Sequence, residues 1–439
     1  MKTACVSPEW FQKGSVYQVN PRTFSAEGTI AAVTKALPRL AEMGFSVIYF
    51  CPLFEADTSQ DRDFWSIRQK ASNTNNPKNP YRMMDYFRID DEYGTLGDLR
   101  DCIQTAHTLG LKVLLDLVYL HIGPNAYVIQ QHPEFIQRDE SGNPKLTYWN
   151  FPYLNFENAG LREYLWSNMT YFIGHLDADG FRCDVADNVP LSFWAEGKRR
   201  ITAIKPDAVL INEGQKAAYL EDVFHCNYGW SWHERIFEVI TDAKTADAIR
   251  AEHERVRAEY PKGGLVLRDM DNHDTVTDWP DRIENLVGHD GMEMLLALNY
   301  MIDGIPMVYC GNELADTAKL SMFANRFHMG AFAVTDRNAT GTHVTRRMQI
   351  IRTLNTLRKT VCALSAGETV WLDTPKEILA FERRAKDETA VFIANFGKTT
   401  QTVPLPGGIA DTLLSNNAVA DDTTVTLEPY GYLAYVKYT

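Results

Sequence analysis

No stretch of the 439 residues approaches the roughly 18 to 20 consecutive apolar positions that a membrane-spanning helix needs. The chain also lacks a basic excess. Its 44 Lys and Arg stand against 57 Asp and Glu, a net charge of −13 with no cationic stripe. Phosphate backbones have little to hold here, which argues against nucleic acid as a partner. The seven cysteines show neither CxxC nor Cys/His ligand spacing. An odd, patternless set argues against a disulfide framework, and Cys51, Cys102, Cys183 and Cys310 fall in apolar segments, as buried reduced thiols do. Internal repeats and low-complexity tracts are missing. The opening MKTACVSPEWFQKGSVYQ has no apolar core and no small-residue cleavage pattern, so it does not read as a signal peptide. A cytoplasmic location is the expectation, although a mature secreted protein would read the same.

What is present is an ordinary globular composition, 45% hydrophobic, in a chain long enough for two or three domains. The first two thirds alternate strand-like and helix-like segments. SVYQVN, FSVIYFCP, LKVLLDLV, ADGFRCD, AVLINE, VFHCNYGW, GLVLRDMD and IPMVYCG are short apolar runs bounded by Gly, Pro or Asp. Helical patterns lie between them, such as GTIAAVTKALPRLAEM with Leu37, Leu40 and Met43 at helical spacing before Gly44. A second, GDLRDCIQTAHTLG, stops at Gly110. Strands of this kind are buried on both faces of a parallel sheet, and eight of them predict a closed (β/α)8 barrel, a TIM barrel of the α/β class. Two stretches break the alternation. Residues 122–158, rich in Asn, Pro, Tyr and Trp, read as a loop-built insertion after the third strand. The runs TVWLD, ILAFERR, TAVFIANF, TQTVPLP, TTVTLEP and GYLAYVKY predict an antiparallel C-terminal β domain. The expected division is barrel at 1–121 and 159–362, insertion at 122–158, and a C-terminal β-sandwich at 363–439.

Three acids close three of the apolar runs: Asp184 in DADGFRCD, Glu213 in AVLINEG and Asp274 in LVLRDMDNHD. In a closed parallel barrel such strand ends converge on one mouth, where these barrels do chemistry. Carboxylates gathered there, one able to give a proton and one to attack, suit the breaking of a glycosidic bond. Bland readings exist for each: a strand-capping ion pair for Asp184, a helix N-terminal acid for Glu213, an N-cap for Asp274. Arg182, two residues before Asp184 on the same strand, points to the same side and is expected to keep that acid ionised.

The segments NPYRMMDYFRIDDEYGTLGDLRDCIQTAHTLGLKVLLDLVYLH, YLNFENAGLREYL, DADGFRCDVADNVP, LINEG, DMDNHDT and GIPMVYCGNE occur in that order. Together they resemble the alpha-amylase family of retaining glycoside hydrolases. DVADNVPLSFW is most similar to the branch holding neopullulanases, cyclomaltodextrinases and maltogenic amylases, which usually carry an extra N-terminal β domain. The resemblance implies Asp184 as nucleophile, Glu213 as acid and then base, and Asp274 as the acid gripping sugar hydroxyls. It further implies substrate contacts at Tyr81, His121, Arg182 and His273, with Asp116 pairing Arg182 beneath the site. Trp149, Trp230, Trp232 and Trp279 lie on or near mouth-facing loops, and Trp230 is taken as a substrate contact; core packing is the competing reading for each. In the family an Asn before the first His holds a structural calcium ion. Leu120 stands there, so no metal and no cofactor are expected. Asp139 and Glu140 could serve another ion or be simply solvated. The implied activity is hydrolysis of α-1,4 bonds in malto-oligosaccharides or related α-glucans. A transglycosylase on the same machinery and an inactive glycan-binding barrel are the alternatives, and the oligomeric state is open.

Overall fold

In the computed structural model, residues 2–324 and 341–438 are described; residues 325–340, inside the range expected for the barrel, lie outside the described residues. Eight parallel strands close on themselves: β1 (Val16–Val19), β2 (Val47–Phe50), β3 (Lys112–Leu117), β4 (Gly180–Cys183), β5 (Val209–Asn212), β6 (Cys226–Tyr228), β7 (Leu265–Arg268) and β8 (Ile305–Tyr309). Pairing of β1 with β8, Val16 opposite Met307, seals the barrel. Each strand was legible because both its faces are buried. Val16, Val47, Tyr49, Leu114, Val209, Ile211 and Leu267 fill the interior, while alternate residues face the helices.

The surrounding helices follow from local chemistry. The helix Ile30–Glu42 is capped by Thr29, whose hydroxyl accepts from the Ala32 N–H, and it buries Ile30, Val33, Leu37 and Leu40. The helix Leu96–Thr108 starts with a capping box of Thr95 and Asp98. Trimming any of those buried leucines to Ala costs about 2–5 kcal/mol. One contact fixes the distance between two neighbouring barrel strands. Gly180 opens β4 at φ 146°, and a Cβ placed there would lie 2.0 Å from the carbonyl oxygen of Val209, which opens β5. Only a residue with no side chain permits that approach.

Beyond β3 the chain makes an irregular insertion held by isolated bridges, His121 to Tyr153 and Leu146 to Pro152 among them. A second long excursion, residues 51–95 between β2 and the helix Leu96–Thr108, has only one short helix, Ile67–Ala71, and one 3-10 turn. The C-terminal strands are β9 (Glu368–Trp371), β10 (Ile378–Arg384), β11 (Glu388–Asn395), β12 (Gln401–Pro404), β13 (Asp411–Ala420) and β14 (Thr424–Tyr438). They hydrogen-bond into one connected antiparallel network of six strands. The reason is β14. TTVTLEP and GYLAYVKY, read as two strands, are a single run with Tyr430 at φ 58°. Its first half pairs with β12 and its second with β11.

At the junction of sheet and barrel, Asp303 gathers basic side chains. Its carboxylate meets His253 Nε2 and Arg268 Nη2, each at 3.0 Å, and Arg257 Nε at 3.5 Å. Buried Arg383, from β10, adds its charge nearby. All seven cysteines are free, five of them buried. Among the described residues no helix is long and apolar enough to cross a membrane.

Candidate active site

Asp184, Glu213 and Asp274 follow β4, β5 and β7, and all three line one cavity at the barrel mouth. Tyr81, His121, Trp149 and Phe151 line it as well. At its floor lies Arg182, fully buried on β4. One guanidinium serves three carboxylates: Nη1 reaches Asp116 at 2.7 Å and Asp184 at 2.8 Å, and Nη2 reaches Glu213 at 2.8 Å. Tyr49 donates to Asp116 from the strand alongside, at 2.7 Å.

The ion pair of the bland reading for Asp184 is present, with Arg182, but the bland readings of Glu213 and Asp274 do not describe what is found. Asn272, not Asp274, caps the helix His273–Asp278, its side chain accepting from the N–H groups of Asp274 and Thr275. Asp271 is taken up by Arg282 at 2.9 Å, and Asp274 is the acid of this segment that lines the cavity. Glu213 lies in the loop before the helix Tyr219–Asp222 and accepts the Val185 N–H at 2.8 Å. Val185 makes that bond from φ 43°, ψ 40°, left-handed space that a β-branched residue rarely enters. Such strain costs about 1–3 kcal/mol and persists only where surrounding contacts enforce it. The next residue after Glu213, Gly214, lies against the Asp187 carboxylate, which occupies the space a Cβ would need. Asp187 accepts from Asn212 Nδ2 and the N–H groups of Gln215 and Lys216, fixing the loop that carries Glu213.

Burial and charge set the protonation states. Burial pushes Glu213 up to about 8 against the pull of Arg182, with Asp184 and Asp274 adding to the rise. Asp184 is pushed up to about 7 by burial, again against Arg182. The sequence expectation that Arg182 keeps Asp184 ionised overlooked the sharing: the same cation also answers Asp116 and Glu213. Asp274 behaves oppositely. Burial raises it, but neighbouring charges outweigh that and hold it at about 2. His273 is itself pressed down to about 4 by burial and is neutral near pH 7, so Arg68 and Arg182 are the cations that keep Asp274 ionised.

His121, also neutral because burial lowers it to about 4, gives Nε2 to the Tyr81 carbonyl at 2.9 Å. Its Nδ1 has no partner among the described residues. The Tyr81 ring stacks on His273 at 5.5 Å, and its hydroxyl bonds both His273 Nε2 and Asp116.

Several expected substrate contacts are placed differently. Arg182 is 0% exposed and touches carboxylates, so it acts through them and does not meet a sugar. His273 is 1% exposed, with Nδ1 on Gln18 and Nε2 on Tyr81. Trp230 is outside the cavity lining, tilted against Tyr228 at the edge of the barrel interior. Trp232 is buried, donating to Asn299, because it falls on the inner face of the helix Trp230–Ile240. Trp279 packs on His233 and Phe237. Of the four tryptophans only Trp149 faces the cavity. Sequence reasoning missed Arg68, whose Nη2 donates to Asp274 at 2.7 Å; it sits in the non-periodic stretch after β2, where no pattern marks it.

The residues at the family's calcium position do not fit a hard cation. Leu120 is an apolar, buried member of the main core and offers no oxygen. Asp139 spends its carboxylate on Ser141 and Asn143 in its own turn. Among the described residues no group of three or more His, Cys, Asp or Glu could hold a metal.

Comparison with known proteins agrees with this geometry. The sequence model described as "Alpha amylase, catalytic domain" matches residues 6–144, and "Beta-galactosidase C-terminal domain" matches residues 380–436. A cyclomaltodextrinase of Geobacillus thermopakistaniensis is 24% identical, spanning 98% of this chain and 74% of that protein. The intracellular maltogenic amylase of Bacillus subtilis is 23% identical over 91% of this chain and 71% of its own length. A crystal structure of an alpha-amylase from Lactobacillus plantarum superposes with a TM-score of 0.82 at 22% identity, covering 98% of this chain and 99% of the other. With the acids of three barrel strands around one cavity, a catalytic-domain model that matches residues 6–144 and relatives of 23–24% identity that span nearly the whole chain, this protein is similar to the alpha-amylase family of glycoside hydrolases.

Proposed function

We propose that this enzyme is a retaining hydrolase of α-1,4-linked malto-oligosaccharides or related α-glucans, with Asp184 as nucleophile and Glu213 as acid and base. The observation that carries the reading is the single Arg182 guanidinium touching both carboxyls. A fork shared in this way keeps the two acids close, as a covalent route requires, and leaves little space for the water an inverting pair admits. Burial raises Glu213 against the pull of Arg182, which suits it to hold the proton that the glycosidic oxygen takes. Asp184 attacks the anomeric carbon, the C–O bond to the leaving sugar breaks, and that oxygen takes the Glu213 proton. Glu213, now ionised, removes a proton from water, which attacks the same carbon and frees Asp184. Asp274, held ionised, is placed to hydrogen-bond ring hydroxyls and to favour the positively charged, flattened ring of the transition state.

His121 Nδ1, an unsatisfied acceptor, suits another sugar hydroxyl, and the Trp149 ring suits an apolar sugar face. The glucan substrate class is supported by the names of the relatives, a cyclomaltodextrinase and a maltogenic amylase. The second of these is called intracellular, which supports a cytoplasmic site of action. In this reading no metal takes part, and full activity after exhaustive chelation is the check. The principal test is proton NMR of maltotriose during turnover. The α-anomer of the product appears first if the reading is right; a β-anomer, or longer oligosaccharides as the main early product, refutes it as stated.

A further inference from the structure

We infer that Arg68 walls off one side of the cavity, so that the site receives the non-reducing end of a chain and releases one sugar at a time. This rests on the proposed roles of Asp184 and Glu213. Arg68 lies on the short helix Ile67–Ala71. Its Nη2 donates to Asp274 at 2.7 Å, its Nε lies 2.7 Å from Asp278, and its guanidinium sits over the Phe323 ring at 5.8 Å. It makes no ion pair with Asp184 or Glu213 among the described residues, yet it lines the same cavity, as does Phe323.

The order of atoms round a pyranose then gives the orientation. The anomeric carbon must lie at Asp184 and Glu213. Asp274 meets the hydroxyls that follow it, and the group behind Asp274 meets positions 3 and 4. In an internal α-1,4-linked residue, oxygen 4 carries the next sugar; at a chain end it is a free hydroxyl. A guanidinium pinned by two aspartates and backed by a phenyl ring offers a donor to a hydroxyl and no passage for another ring.

The wall is anchored. Arg82, fully buried, donates to the carbonyls of Asp57, Phe64 and Pro77 and so replaces the regular backbone pairing this stretch lacks. Asn76 reaches the Ala324 carbonyl, and Arg22 bonds the carbonyls of Lys78 and Met322. Side chains thus tie the excursion after β2 to the segment after β8, from opposite sides of β1. Loops fixed in this way shape what a barrel mouth accepts.

The test uses maltopentaose and the same sugar with its terminal 4- and 6-hydroxyls blocked as an ethylidene acetal, with products resolved by chromatography. The intact enzyme is expected to release glucose first from the free sugar and to cut the blocked one at least 100-fold more slowly. Arg68→Ala should lower kcat/KM on the free sugar and narrow the gap between the two at least tenfold. Equal cutting of both sugars by the intact enzyme overturns the inference while leaving the hydrolase reading intact. So does a gap unchanged in a folded Arg68→Ala variant, since a purely structural role slows both substrates alike. Failure of the intact enzyme to cut either sugar overturns the inference and the glucan reading together.

Discussion

Two buried charge clusters in this molecule are built from the same residue types in opposite proportion. At the mouth, one arginine, Arg182, answers three carboxylates. At the junction with the C-terminal sheet, one carboxylate, Asp303, answers His253, Arg257, Arg268 and the charge of Arg383. The scarce partner decides the outcome. With too few cations, burial wins at the mouth and lifts Asp184 and Glu213 toward neutrality, where protons move readily. With cations in excess, Asp303 is held well below its ordinary value although burial opposes this, and it stays a fixed charge. One cluster can change protonation near neutral pH; the other stays a fixed charge where barrel and C-terminal sheet meet.

The contrast breaks most sharply at the acids. Asp184→Asn should reduce kcat by about 10⁴-fold or more, and Glu213→Gln by about 10²–10⁴-fold, the usual share of a proton-transfer group. Both variants should unfold at the same denaturant concentration as the parent or a higher one, because each removes a carboxylate from a cation-poor pocket. A variant that lost stability instead would erase the distinction. The junction should respond in reverse. Asp303→Asn leaves buried cations without their counter-charge and should cost about 3–5 kcal/mol in denaturant unfolding, with kcat of the folded fraction unchanged. A kcat that fell in step with stability would show the two clusters to be coupled.

A smaller effect sharpens the comparison through pH. Glu213 is raised from 4.5 to about 8, so the native state binds a proton the unfolded state has released across that window. Its contribution to stability is full below about 4.5 and is lost as pH rises through about 8. Asp274, lowered from 3.8 to about 2, contributes above its unfolded value and loses that as pH falls toward 2. Denaturant midpoints across this range should therefore fall less steeply on the alkaline side in Glu213→Gln than in the parent; parallel curves would contradict the assignment. In turnover, Asp184 and Glu213 titrate as a pair, giving a narrow optimum between the two apparent values.

Much of this was legible in the residues because buried strands write themselves as apolar runs. All eight barrel strands and the acids at three of their ends could be read that way. The failures have physical causes. DTLLSNNAVA, the strand β13, is largely exposed and shows no apolar alternation, so it is missing from the predicted strands. Trp232 and Trp279 could be read as core packing or as sugar platforms, because aromatic rings serve both; only the three-dimensional structure separates the two uses. Arg68 was invisible for the opposite reason. The stretch that carries it is organised by Arg82 and Asn76 bonding to backbone carbonyls, which leaves no period to detect. The strain at Val185 had no sequence signal, since a valine after an aspartate suggests ordinary extended chain.

Gly180 carries a wider consequence. The strands that lead to Asp184 and Glu213 begin where its bare α-carbon lies against the Val209 carbonyl. Any methyl there would pry apart two rails whose far ends must stay in register for bond breaking. Anyone reshaping this catalyst should therefore treat the foot of the fourth rail as part of its tolerance for error, although no carbohydrate ever comes near it.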